Sequence, residues 1–233
     1  TVTWNLLGRG MESTATSLWG YAMALAAAVV AVLSPLFGAA ADASRSRKRL
    51  TGLLTAVGVA SAGLLSLTGE GDIWPVLGLL VAGQIGFAGS NVFYNSLLMS
   101  AAPPERRDLV SARGFAMGYL GGGLLLALNL LMIRRPGMFG MVDAGQGTRM
   151  SFLSVAVWWG LFSLPLFLRV PEGRGGSAKG LGTALREGLS RLAGTFGHIG
   201  AHRDAFRFLL AYLLYNDGVQ TVIMMATVFG KAE

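Results

Sequence analysis

The chain has no cysteine among its 233 residues. It therefore forms no disulfide and offers no thiol for catalysis, and its redox compartment is not readable from cysteine usage. Histidine is nearly as scarce, at two residues. His198 and His202 stand four apart, as a helical metal pair would, but no third ligand lies near them in sequence, so surface histidines are the better reading and no metal site is expected. Charge is the third shortage. Charged residues make up 13% of the chain, about half of the roughly 25% usual in soluble domains. A phosphate-binding loop and a nucleophile elbow are also missing, and Gly121-Gly122-Gly123 sits within an apolar stretch instead of after a strand, so it is no dinucleotide loop. No cofactor is expected, and without a clustered nucleophile, acid pair or ligand set an enzyme is not the reading.

What is abundant is apolar. Hydrophobic residues reach 53% and the mean hydropathy is +0.56, which points to a membrane protein with the lipid bilayer as its first partner. The net charge of +7 would suit nucleic acid, yet the basic residues fall in the gaps between apolar runs and no groove-reading motif accompanies them. Charge that orients membrane loops explains them better, and no nucleic-acid partner is expected.

Taken in order, residues 1–14 read as a loop without sustained periodicity. Six apolar runs follow, at about 15–41, 50–68, 73–101, 112–133, 150–170 and 205–230, each long enough to cross roughly 30 Å of hydrocarbon. The fold class is all-α, a polytopic transmembrane helical bundle. The chain opens on Thr1 and ends at Glu233 just past an apolar run, and reads as a fragment truncated at both ends. Residues 1–170 read as one set of membrane helices, 171–204 as a linker and 205–233 as the first helix of a second half. In the linker, Leu181, Leu185, Leu189, Leu192 and Phe196 recur at helical spacing among Arg186 and Arg191. That pattern fits an amphipathic helix on the membrane surface and equally a short soluble helix packed on the loops.

The connection after the first run, Gly38 to Arg49, carries Arg45, Arg47, Lys48 and Arg49. Loops on its side of the bilayer collect most of the Lys and Arg, with Arg134, Arg135 and Arg149 as a minority on the other, so that side is cytoplasmic. The expected location is a prokaryotic plasma (inner) membrane.

Polar groups inside the spans are expensive and hence candidates for function. Gln84, Asn91, Tyr94 and Asn95 form a polar strip on the third run, Asn91 and Asn95 sharing a face through their spacing of four. The strip lines a water-filled pathway or glues helices together. Asp217 lies mid-span in the sixth run, beside Tyr215, Asn216 and Gln220. It is either a proton carrier, which would give proton coupling, or an acid held by hydrogen bonds that fix packing. Gly114, Gly118 and Gly122 make a small-residue ridge, read as helix packing.

The loop at Gly38, Asp42, Arg47 and Lys48 resembles the signature loop of the major facilitator superfamily, with Ala43 and Arg45 departing from its pattern. Three further stretches are similar to the branch of the fungal autophagy-linked vacuolar effluxer: Asn91 to Leu98, Ser111 to Gly122 with Arg113, and Tyr215 to Gly218 with Thr221. The resemblance implies a major facilitator type bundle of which about the second to seventh helices are present. It implies alternating access between two halves, with a small-molecule solute bound between them, in a protein expected to be monomeric at full length. The eukaryotic member of the branch is associated with amino acid export, and amino acid efflux is the activity expected here. The resemblance also implies that Asp42 is a conformational latch, with Arg47 and Lys48 in its charge network. The competing reading is a membrane scaffold or assembly protein that uses the same fold without transporting.

Overall fold

The structure is a computed structural model, and it describes residues 2–6, 9–13, 15–43, 47–69, 71–171 and 203–229, with isolated positions between 182 and 194. The chain divides into two compact units, Trp19–Gly188 and the two chain ends together. In the end unit, β1 (Val2–Leu6) pairs antiparallel with β2 (Arg9–Ser13), Val2 opposite Ser13 and Leu6 opposite Arg9. This corrects the loop expected there. Val2, Trp4 and Leu6 alternate with Thr3 and Asn5, a strand period, and the pairing of Leu6 with Arg9 is of hairpin spacing.

The larger unit holds the helices α1 (Ala15–Ala43, from Trp19 on), α2 (Arg47–Leu65), α3 (Ile73–Ala101), α4 (Arg107–Arg134) and α5 (Ala144–Arg169). A last helix, α6 (Arg203–Phe229), belongs to the end unit. The helical bundle is all-α as expected, but its boundaries differ. Helix α1 runs on through Asp42, and α2 begins at Arg47, so the basic loop contracts and three cations stand in the first turn of a helix. Cations there oppose the helix dipole. Two of them instead reach carbonyl oxygens at the ends of other helices: Arg47 Nε donates to Ala41 O at 2.5 Å and Lys48 Nζ to Val170 O at 2.8 Å. Helix α5 starts six residues before the expected Met150 because Asp143 caps it, accepting from the Gln146 amide at 2.7 Å while Gln146 Oε1 accepts from the Val142 amide at 2.8 Å. This is a close relative of the capping box.

Among the described residues four helical stretches are long and apolar enough to cross a membrane: Ser17–Gly38, Ile73–Leu98, Pro104–Arg134 and Ala144–Arg169. Six had been expected. Helix α2 gives its first three positions to Arg47, Lys48 and Arg49, and α6 places Asn216, Asp217 and Gln220 within its length. The amphipathic pattern at 181–196 falls largely outside the described residues.

Helix α2 is the centre of the larger unit, packing on α3 and on α5, while α4 packs on α5. Glycine decides where the first of these pairs crosses. A methyl group at Gly86 would stand 2.7 Å from the Gly58 nitrogen and 2.8 Å from the Leu54 carbonyl oxygen, so the two backbones touch. From α5, the Trp159 ring lies over Gly58 and leaves no room for a side chain. Gly147 does the same for α4 and α5, where a methyl group would meet the Met132 carbonyl oxygen at 2.7 Å. Ser154 Oγ then donates to the buried Asn129 Oδ1 at 2.8 Å, a polar tie between the same helices. At the other end Ala40, Ala41, Leu54 and Phe93 form a small core with Phe37, whose ring centroid is 6.0 Å from that of Phe93.

Candidate functional site

A cavity of about 200 Å³ opens between α2, α3 and α5. Helix α2 contributes Thr51 and Thr55, one turn apart on one face. Helix α3 contributes Ser90, Asn91 and Tyr94, and α5 contributes Trp159 and Ser163 on one face with Phe162 and Leu166 beside them. No charged side chain is among these. The start of α2 and the ends of α3 and α5 all lie on the basic side of the bundle. At a rise of about 1.5 Å per residue, Thr51 and Thr55 lie ~6 and ~12 Å in from that end, Ser163 ~9 Å and Asn91 ~15 Å. The cavity thus occupies the half of the bundle nearer the basic face.

Its hydrogen-bonding capacity is partly used. Thr51 Oγ1 donates to Arg47 O at 2.8 Å, Ser90 Oγ to Phe87 O at 2.9 Å and Ser163 Oγ to Trp159 O at 2.7 Å. Each of these hydroxyls keeps acceptor lone pairs. Thr55 is 7% exposed and Asn91 is half-buried. No buried side-chain oxygen or nitrogen among the described residues lacks a partner. The Thr55 hydroxyl, which bonds to no described protein group, therefore opens to the cavity.

The strip expected on α3 is divided. Asn91 and Tyr94 reach the cavity, Gln84 is half-buried elsewhere on the helix and Asn95 is exposed. Tyr94 is 45% exposed, and its hydroxyl would lie 3.6 Å from a methyl group at Gly114, close to α4. The rest of the glycine ridge meets nothing: a methyl group at Gly118 or Gly122 would have no described neighbour within 4 Å. In α6, Tyr215 and Asn216 are exposed, and the side chains of Asp217 and Gln220 lie outside the described residues. So does the side chain of Asp42, on the last turn of α1 four residues after Gly38. Arg107 Nε donates to Ala102 O at 3.2 Å. With Arg47 and Lys48 it makes a third cation set on a carbonyl at the end of a helix, where positive charge is favoured.

Thr51, Thr55, Trp159 and Ser163 were not singled out from sequence. The signal was present as two pairs spaced by four, but threonine and serine are ordinary in membrane helices and only the packing of α2 on α5 brings the pairs together. Among the described residues no group of three His, Cys, Asp or Glu side chains comes together as a metal site would; His198 and His202 lie outside them.

Residues 4–233 match the family described as vacuole effluxer Atg22 like. An uncharacterized MFS-type transporter of Bacillus subtilis, YxiO, is 33% identical over 219 residues, covering 93% of this chain and 50% of that protein. Autophagy-related protein 22 of Saccharomyces cerevisiae is 24% identical over 215 residues, covering 76% of this chain and 40% of the relative. Its namesake from Eremothecium gossypii is 25% identical over 185 residues, covering 70% and 35%. No solved structure matches. The chain spans half or less of the length of these relatives. It belongs to the Atg22-like vacuole effluxer family, a branch of the major facilitator superfamily.

Proposed function

We propose that this chain forms part of a secondary active transporter that moves a small polar solute across a membrane by alternating access. The observation that carries this reading is a cavity of neutral polar and aromatic side chains between α2, α3 and α5, in a bundle whose family is described as effluxers. Amino acid efflux is the first candidate activity, as the family resemblance implies. The membrane is a prokaryotic plasma membrane with the basic ends of α2, α3 and α5 in the cytoplasm, consistent with the excess of Lys and Arg there. The full-length protein, in liposomes with an imposed pH gradient, is expected to move at least one labelled solute from a panel of amino acids and polyols. A folded protein that moves none of them fits a scaffold and defeats the transporter reading.

In this reading Asp42 acts as the latch, with Gly38 one turn before it on α1 and Arg47 and Lys48 holding the ends of α1 and α5 through Ala41 and Val170. In the full-length protein, Asp42→Ala is expected to change the labelling rate of a single cysteine introduced on the basic face by several-fold. An unchanged rate removes the latch.

A further inference from the structure

Three hydroxyl hydrogens on the cavity between α2, α3 and α5 are already committed. Thr51, Ser90 and Ser163 each give theirs to a carbonyl of their own helix, at Arg47, Phe87 and Trp159. A hydroxyl in that state has only lone pairs left to offer. Turning any of them round to donate would break its bond to the helix. The three stand on three different helices, one on each, and line the same space. The Asn91 side chain adds an amide oxygen from α3.

A primary ammonium group answers such a lining. It has three N–H donors on one atom and no acceptor, and its charge strengthens the hydrogen bonds it makes. Aromatic rings favour it further, because the face of a ring attracts a cation, and Tyr94, Trp159 and Phe162 stand on the same cavity. A bare metal ion would also draw on the oxygens. The space of about 200 Å³, however, is many times the ~15 Å³ that one water needs, which leaves room for a carbon frame behind the nitrogen.

We infer that this cavity seats the primary ammonium group of a small organic solute, with Thr51, Ser90 and Ser163 accepting its N–H bonds and the aromatic rings beside it. The inference deepens the efflux reading and rests on it for the role of the site. An amino acid carries this group together with its own counter-charge, which lowers the cost of taking the cation out of water. Binding itself does not depend on that role.

The test is equilibrium binding of labelled butylamine, an ammonium ion at neutral pH, to the full-length protein in nanodiscs in potassium chloride. Saturable binding is expected, weakened roughly tenfold by Ser163→Ala and by Ser90→Ala. Two variants on different helices guard against one that fails to fold. Ser96→Ala, which removes a hydroxyl from α3 outside the cavity lining, is expected to bind like the parent. Unlabelled 1-butanol and N-butylacetamide, which keep the carbon frame without the charge, are expected not to displace the probe. The inference is overturned if butylamine does not bind saturably, if either neutral analogue displaces it as well as unlabelled butylamine does, or if the folded cavity variants bind like the parent. Replacing potassium by sodium is expected to leave binding unchanged. Sodium that displaces the amine assigns the oxygens to a metal ion and likewise overturns the inference. Saturable binding without flux of any amino acid in liposomes defeats the transport role and leaves the site standing. Amino acid flux without such binding does the reverse.

Discussion

Gly86→Val is expected to unfold or disassemble the larger unit at temperatures where the parent is stable. The argument is steric. A methyl group at position 86 would lie 2.7 Å from the Gly58 nitrogen, 2.8 Å from the Leu54 carbonyl oxygen and 2.9 Å from the Gly58 α-carbon. All three are backbone atoms in α2, so no side chain can swing aside, and the two helices must separate. Separation also lifts α2 from α5, because the ring of Trp159 lies over Gly58 at the same level. Overpacking of a well-packed interior typically costs about 1–3 kcal/mol; here two helix contacts are lost together, which puts the effect at the top of that range or above it. The measurement is the thermal unfolding midpoint of purified protein in detergent, with folded yield as a second readout. Gly122→Val is the counterpart, because a side chain there meets no described neighbour within 4 Å; within this unit it is expected to change stability by less than about 0.5 kcal/mol. An unchanged midpoint for Gly86→Val would mean that α2 and α3 do not cross where the structure has them.

The second large effect is expected on function. Asp217 is the middle of α6, about 21 Å along the helix from Arg203 at 1.5 Å per residue. In the transporter reading, in which α6 crosses the membrane, a carboxyl group at such depth costs on the order of 2.5–3.5 kcal/mol on insertion scales, and proton relays are one established use of such a residue. The substitution Asp217→Asn keeps the size of the side chain and resembles the protonated acid in having both a donor and an acceptor, but cannot take up or release a proton. If the acid carries protons, the component of flux that depends on the pH gradient is lost in the variant while its unfolding midpoint stays near that of the parent. If the acid only holds helices together, the amide replaces it and pH-dependent flux survives. Full pH-coupled flux in Asp217→Asn would therefore end the proton-carrier role.

How far these features could be read in advance depends on the range of the interaction behind each. The expected third helix coincides with α3, from Ile73 to Ala101, because both of its ends are marked locally, by the Gly-Asp turn with Pro75 and by Pro103-Pro104. Helix α2 was placed three residues too late, because cations in a first turn read as loop and only the carbonyls of Ala41 and Val170 explain them. One of those partners is 122 residues away. Helix α5 was also placed too late, although the Asp143 and Gln146 cap was legible; Gly145 and Gly147 disguised it as a connection. The glycines show the same division. Gly114, Gly118 and Gly122 repeat at a packing period, yet Gly58, Gly86 and Gly147, without so obvious a pattern, are the ones against which neighbours close.

Local composition and periodicity by themselves determined that this is a helical membrane protein and which end of the bundle is basic. These properties depend on the apolar content of single helices and on charge in short connections, and neither requires knowledge of a partner helix. Tertiary structure alone decided that Asn91 and Tyr94, but not Asn95, join Thr51, Thr55, Trp159 and Ser163 around one cavity. That outcome is set by the closeness of α2 to α3 at Gly58 and Gly86 and by the side of α2 that α5 covers. Those are contacts between residues tens of positions apart, and no periodicity within one helix records them.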